Sequence, residues 1–141
     1  MAISEVHAGR SYPATSPYQV SAAKIAEFAT ALGDESPSYR GEAPIAPPTF
    51  IAVISSPAWQ LMFDDPELEL TLSRIVHGDQ RFSYVRPLRS GDVVSGALTI
   101  DKVRARGAME IISASVEVTT VRGEPICTAQ ATFLHSRGEA A

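Results

Sequence analysis

The hydrophobic pattern of this 141-residue chain changes period midway, from helical spacing to alternation. In the first half, Ile25, Phe28, Ala29 and Leu32 recur at the spacing of one helical face. Ser21 stands where an N-cap is favoured and Gly33 where a helix stops, so a first helix is predicted between them. Ahead of it, residues 11–20 carry two prolines and end in Tyr18, Gln19 and Val20, the pattern of a loop feeding a short edge strand. After it, residues 33–48 (GDESPSYRGEAPIAPP) hold four prolines and two glycines. A connection this long inside a compact domain is uncommon and often functional.

A second helix is predicted to open at Pro47, Pro48, Thr49 and Phe50, because proline is preorganised for the first turn and has no N–H to leave unpaired there. Phe50, Val53, Ile54, Ala58, Leu61 and Met62 form its apolar stripe, with Trp59 beside it. Pro57 removes a backbone hydrogen bond and crowds the carbonyl of Val53, so a kink or break is expected near Ser55 and Ser56. Asp64, Asp65 and Pro66 end the segment.

From Arg74 onward the period becomes two. Residues 75–85, 93–105, 108–120 and 125–136 alternate and are joined by glycine-bearing links, which predicts four strands in antiparallel hairpins. The order of elements describes an α+β domain over residues 1–141, in which a curved antiparallel sheet wraps one buried helix. Such a sheet leaves edges open, and pairing of two subunits edge to edge would cover them. Residues 137–141 (RGEAA) read as a frayed tail.

Composition narrows the class. With 45% hydrophobic and 20% charged residues the chain is that of an ordinary globular domain. No apolar run reaches the roughly 18 residues of a spanning helix, and the start MAISEVHAGR has neither the basic opening nor the apolar stretch of a secretory signal, so a cytoplasmic location is expected. Cys127 is the single cysteine, which excludes an internal disulfide and a thiolate-rich metal centre. A net charge of -4 argues against a nucleic-acid partner. Arg74, Arg81, Arg86, Arg89, Arg104 and Arg106 gather in the second half, either as solvated strand ends or as a local basic patch for an acidic carrier protein or the phosphates of a cofactor arm.

Residues 79–96 (DQRFSYVRPLRSGDVVSG) resemble the strand, Pro-containing bend and Gly-Asp turn of MaoC-like hot-dog proteins, and residues 45–54 (IAPPTFIAVI) resemble the entry to their central helix. Nearly the whole chain is similar to small actinobacterial proteins related to the type I fatty-acid-synthase-like dehydratase domain, among them the subunits of the mycobacterial (3R)-hydroxyacyl-ACP dehydratase. The resemblance implies a hot-dog fold, with an antiparallel sheet wrapped around a long central helix. It also implies a hydratase or dehydratase component acting on a 3-hydroxyacyl thioester carried by CoA or an acyl carrier protein, with no further cofactor. The family's hydratases carry Gly-Asp followed by Asn-Pro and then His. Here Gly33 and Asp34 match the Gly-Asp, Ser36 takes the Asn position, Pro37 the Pro, and Tyr39 the His. Proton transfer at the α and β carbons needs a group that titrates near neutrality, as imidazole does and a phenol near 10 does not.

Asp34 is therefore a catalytic candidate or an ordinary turn residue, and Tyr39 a substrate contact or a packing aromatic. His77 is the other catalytic candidate, because Gly78 allows a bulge beside it and Asp79 could orient the ring; its alternative is to shape that bulge. No pair of histidines has metal-ligand spacing, so no metal is expected. The backbone N–H groups of Thr49, Phe50 and Ile51 are candidate donors to a thioester oxygen, and Phe50, Val53, Ile54 and Phe82 candidate walls of an acyl tunnel.

Three functions stay open. In the first, the chain binds the acyl tail while a MaoC-like partner subunit supplies Asp and His, as a heterodimer. In the second, it is a self-sufficient homodimeric hydratase using Asp34 and His77, or a hot-dog thioesterase. In the third, it is a non-enzymatic acyl-binding assembly subunit.

Overall fold

The computed structural model describes residues 2–138. Strand β1 (Tyr18–Gln19) leads into helix α1 (Ala22–Ala31), whose N-cap Ser21 accepts the Lys24 N–H at 3.1 Å. Gly33, at φ +74°, turns the chain out of the helix. A 3₁₀ turn (Pro48–Ile51) runs directly into α2 (Ala52–Phe63), and four strands follow: β2 (Ile75–Tyr84), β3 (Val93–Arg106), β4 (Met109–Thr120) and β5 (Pro125–Ser136). They form one antiparallel sheet in the order β1-β3-β4-β5-β2. The predicted order of elements is the observed one.

Helix α2 lies against β3 and β4, and the inward positions of the sheet pack around it. Ile54, Ala58 and Met62 of the helix are buried with Val94, Leu98, Ile112, Val116 and Ala129 of the strands. Helix and sheet come close at Gly96, where a Cβ would stand 2.8 Å from Val116 Cγ1 and 3.3 Å from Ile54 Cγ2. A side chain there would push the helix off the sheet.

Three expectations are corrected. Pro57 does not break α2, which runs uninterrupted from Ala52 to Phe63. Ser56 and Pro57 lie on its exposed side, so the carbonyl that proline leaves unpaired can meet water, while the Ser56 hydroxyl donates to the Ala52 carbonyl at 2.7 Å. The segment before β1 is more than a loop: residues 9–15 lie along β3, with Gly9 and Tyr12 donating to the carbonyls of Ile100 and Leu98 and Thr15 to that of Gly96. Arg10 and Tyr12 then anchor this segment on Asp65, at 2.9 and 2.6 Å. Of the predicted tail, Arg137 is held by its N–H to Ala108 and its guanidinium to the buried Glu110, whereas residues 139–141 lie outside the described residues.

The sheet is thereby covered on its β3 side over part of its length. On its other side, β2 pairs only with β5 among the described residues, which leaves an edge ten residues long open.

Cys127 sits in the inner layer at 2% exposure. Burial pushes its thiol from the ordinary 9.0 up to about 11, opposed by a hydrogen bond from the Ser83 backbone and reinforced by the charge of Glu117. A rise of this size cuts the thiolate fraction at neutral pH about a hundredfold. Reaction with a thiol-disulfide reagent at pH 7.5 should be at least that much slower in the folded protein than in urea. Because folding favours the protonated thiol, this contribution to stability is complete below pH 9.0 and is lost as the pH rises towards about 11. Urea titrations across that range check the sign.

Candidate functional site

The long connection between the helices is built by local side-chain bonds. Asp34 Oδ1 accepts the Ser36 N–H at 3.0 Å, Ser36 Oγ accepts the Ser38 N–H at 3.3 Å, and a 3₁₀ turn (Pro37–Tyr39) follows. Arg40 clasps the loop onto α1, donating to the carbonyls of Ser36 and Asp34 at 2.9 Å each and to Thr30 Oγ1 at 3.3 Å. The loop is then sewn to the bend after β2: Ala46 N–H donates to Leu88 O at 2.7 Å and Ser90 N–H to Pro44 O at 3.2 Å.

Between this loop, the entry to α2 and the end of β2 opens a cavity of about 280 Å³, lined by Tyr39, Ile45, Ala46, Pro48, Tyr84, Val85, Arg86 and Pro87. Its character is apolar with two phenols. The Tyr84 hydroxyl donates to the Pro48 carbonyl, tying the last residue of β2 to the helix entry. Burial pushes the Tyr84 phenol well above its ordinary 10.0, with the neighbouring Cys127 adding to the rise, so it stays protonated.

Arg86 forms part of the wall but offers no charge to it. Its Nε and Nη2 donate to Glu124, Nη1 and Nη2 to Asp92, and Nη1 also to the Pro87 carbonyl, at 2.9 to 3.1 Å. All five guanidinium N–H groups are thus used. Burial alone would raise Asp92, yet the Arg86 bonds and the Arg89 N–H hold it below its ordinary 3.8. Glu124 is held below its ordinary 4.5 chiefly by its hydrogen bonds from Arg86. Of the clustered arginines, this one is a structural clamp.

The predicted site residues divide. Tyr39 lines the cavity, beside Pro48. Thr49 is exposed at the helix entry, whereas Phe50 and Ile51 are fully buried in the core. The Phe50 N–H is not a free donor, since it reaches the Pro47 carbonyl at 2.9 Å in the 3₁₀ turn that opens the helix. Val53 and Phe82 are half-buried beside the core, and Ile54 belongs to it.

His77 stands apart from this cavity. The predicted bulge is present, as the β2–β5 register shifts between His77 and Asp79. The imidazole packs on Trp59 and Phe133 at ring distances of 5.1 and 5.0 Å, and its Nε2 pairs with Gln80 Oε1 at 3.0 Å. Asp79 does not orient it, being directed to Arg81 at 3.7 Å. No hydrogen bond or ring contact joins His77 to Asp34 within the described residues. His7 and His135 are buried and bonded: His7 Nδ1 accepts the Ser4 N–H, while His135 bridges the Thr71 N–H and Glu110. Among the described residues no group of three or more His, Cys, Asp or Glu could hold a metal ion.

Sequence reasoning did not single out Tyr84, and it read Arg86 only as one of the clustered arginines. The alternation of β2, which turns Gln80, Phe82 and Tyr84 to one face, could have singled out Tyr84.

Comparison with known proteins supplies a frame. The sequence profile of the FAS1-like dehydratase domain region matches residues 6–129. A UPF0336 protein of Cutibacterium acnes is 51% identical over 139 residues, covering 99% of this chain and 98% of its own. Among solved structures, the C-terminally truncated HadBC (3R-hydroxyacyl-ACP dehydratase) complex of Mycobacterium tuberculosis superposes with a TM-score of 0.82 at 23% identity, covering 91% of this chain and 96% of the other. A MaoC-like dehydratase gives 0.84 at 22% identity, covering 94% of this chain and 43% of the other. At these identities the structural likeness establishes the fold, an antiparallel hot-dog sheet around a helix.

Arg86 carries a direct test. Replacing it with Met should lower stability by about 1–3 kcal/mol in urea unfolding, because Asp92 loses its bidentate partner in a site only partly open to water. A depressed carboxylate stabilises the fold above its ordinary pKa and loses that contribution as the pH falls. The gap between wild type and R86M should therefore narrow below pH 3.8.

Proposed function

Because the chain belongs to the family of the FAS1-like dehydratase domain region, we propose that it is the substrate-binding component of a (3R)-hydroxyacyl-thioester dehydratase or enoyl hydratase, with a related subunit supplying the catalytic Asp and His. The observation that carries this reading is the placement of Tyr39. The residue that takes the position of the family's His lines the cavity, and no imidazole is among the described residues that line it. A phenol holds its proton at neutral pH and is a poor general base there.

The loop chemistry agrees. Asp34, the surviving motif residue, spends one carboxylate oxygen on the Ser36 N–H and shapes a turn. His77 is too committed to Gln80 and the aromatic cluster to serve this cavity from within the same chain. What the site keeps is an apolar wall with polar points at the entry to the central helix, which suits holding an acyl thioester better than moving its protons. Thr49, exposed at the helix entry, would offer its N–H to the thioester oxygen. The carrier, CoA or an acyl carrier protein, would lie outside the cavity.

The open edge of β2 supports a partner. It carries Val76 and, just beyond its end, Val85, at 61% and 70% exposure. HadBC (3R-hydroxyacyl-ACP dehydratase), with a similar fold, is itself a complex. A heterodimer through this edge would extend both sheets and bring the partner's catalytic residues to the acyl chain held here.

Hydration of crotonyl-CoA tests the division of labour. The purified chain alone should show no turnover above background, and co-expression with a MaoC-like subunit bearing Asp and His should give an active complex. In that complex His77→Ala should change kcat less than twofold. Full activity of the single chain, lost on replacing His77 or Asp34, would instead establish a self-sufficient homodimer. Release of free thiol without hydration would mark a thioesterase.

A further inference from the structure

We infer that the outer face of the sheet, towards the tip of the β3–β4 hairpin, is a docking surface for an acidic segment of another protein that also carries apolar side chains. The surface is separate from the cavity. Val93 opens β3 beside the Arg86–Asp92 clamp, and Arg104 stands near the other end of the strand, roughly 35 Å away.

Side chains alternate along each strand, so the register fixes what the outer face carries. Over its middle that face is polar: Thr99, Ser115 and Gln130 stand opposite one another across β3, β4 and β5, and the row of Lys102, Ser113 and Thr132 follows. One row further the composition changes. Arg104 faces Ile111, Ile111 faces Leu134 and Leu134 faces Val76, so three aliphatic side chains cross β4, β5 and β2 with a guanidinium at their end. Val76 is 61% exposed, and Met109, beside Arg106 in the next row, 37%. Gly78 leaves one flank of Leu134 bare. A Cβ there would rest 3.6 Å from Leu134 Cδ1, in ordinary contact, so the backbone has room for a side chain that the sequence omits.

The cations give the surface its sign. Residues 102–109 hold Lys102, Arg104 and Arg106 and no acidic residue, in a chain of net charge -4. None of these three side chains has a hydrogen bond or ion pair among the described residues, whereas Arg10, Arg81, Arg86 and Arg137 are each paired with a carboxylate. An acidic segment with apolar side chains answers both halves of the surface: its carboxylates meet the unpaired cations, and its apolar side chains take the aliphatic row out of water. A second copy stacked row on row would bring cations against cations. A lipid surface would need apolar side chains that protrude, and the hairpin turn offers Gly107 and Ala108. Pairing of the β2 edge with a partner strand would engage the backbone of Val76 and leave its side chain on this face, so the two contacts are compatible.

Fluorescence anisotropy on the full chain tests the surface with three labelled peptides: an amphipathic helix with Glu on one face and Leu on the other, the same helix with Gln for every Glu, and poly-Glu of equal charge. The first should bind about tenfold more tightly than either of the others, and its binding should weaken with added salt. Arg104→Glu combined with Arg106→Glu should loosen it about tenfold, because two attractions become repulsions. Ile111→Thr combined with Leu134→Thr should loosen it about fivefold by removing apolar contact while the cations stay. Lys24→Glu on α1 should leave it unchanged. The two double variants are independent, so the assignment stays testable if one of them fails to fold. Equal binding of the Gln peptide or of poly-Glu overturns the pairing of charge with apolar contact. Undiminished binding by either double variant, or binding of none of the peptides, overturns the surface itself. So does self-association that R104E/R106E abolishes, which would give the face to a second copy, or co-sedimentation with phosphatidylglycerol vesicles in place of peptide binding, which would give it to lipid.

Discussion

Helix α2 is apolar around more of its circumference than a flat sheet can cover, and the rest of the structure follows from burying it. Ile54, Ser55, Ala58 and Met62 face inward, while Val53, Trp59 and Phe63 are partly covered at its flanks. Long strands that curl can reach both flanks at once, provided the helix comes close to their middle. Gly96 is what permits the approach, since any Cβ there would meet Val116 and Ile54. Once the helix is seated, its entry is fixed against the end of β2. The Tyr84 hydroxyl then lies within reach of the Pro48 carbonyl.

The candidate site grows from that junction. A proline-started helix entry, a loop folded by Asp34, Ser36 and Arg40, and a bend clamped by Arg86 meet around one opening. Its clamps are internal: the arginine is held by its carboxylates, the Tyr84 phenol by a carbonyl, and the amides of Tyr39, Ile45 and Ala46 by neighbouring carbonyls. A wall held together in this way is electrically quiet. Holding a neutral chain asks for little more, whereas acid-base chemistry demands a titrating group in the opening.

Much of the fold was legible in the sequence because the signals were local. Ser21 and Gly33 bracket α1 through capping and positive φ, the alternation from Ile75 onward gives four strands, and Gly78 marks the bulge after His77. The features that sequence reading missed depend on distant partners. Pro57 is tolerated because its side of the helix faces out. Residues 9–15 carry no strand-like alternation, yet they pair with β3 because its edge is there to be covered. Within the site, Tyr39, which the motif alignment set at the His position, lines the cavity. The alignment could not show that the Phe50 N–H is spent on Pro47, or that Arg86 finds two carboxylates 6 and 38 positions away.

The uncovered edge of β2 bears on how the chain must be produced. Along ten residues its outward amides and carbonyls form a template that any extended segment can join, and only Asp79 and Arg81 stand on the strand as charged deterrents. A molecule synthesised in excess of a matching strand therefore invites misassociation with itself or with unfolded neighbours. What lies along this strand is, for such a protein, as much a condition of solubility as any residue on its surface.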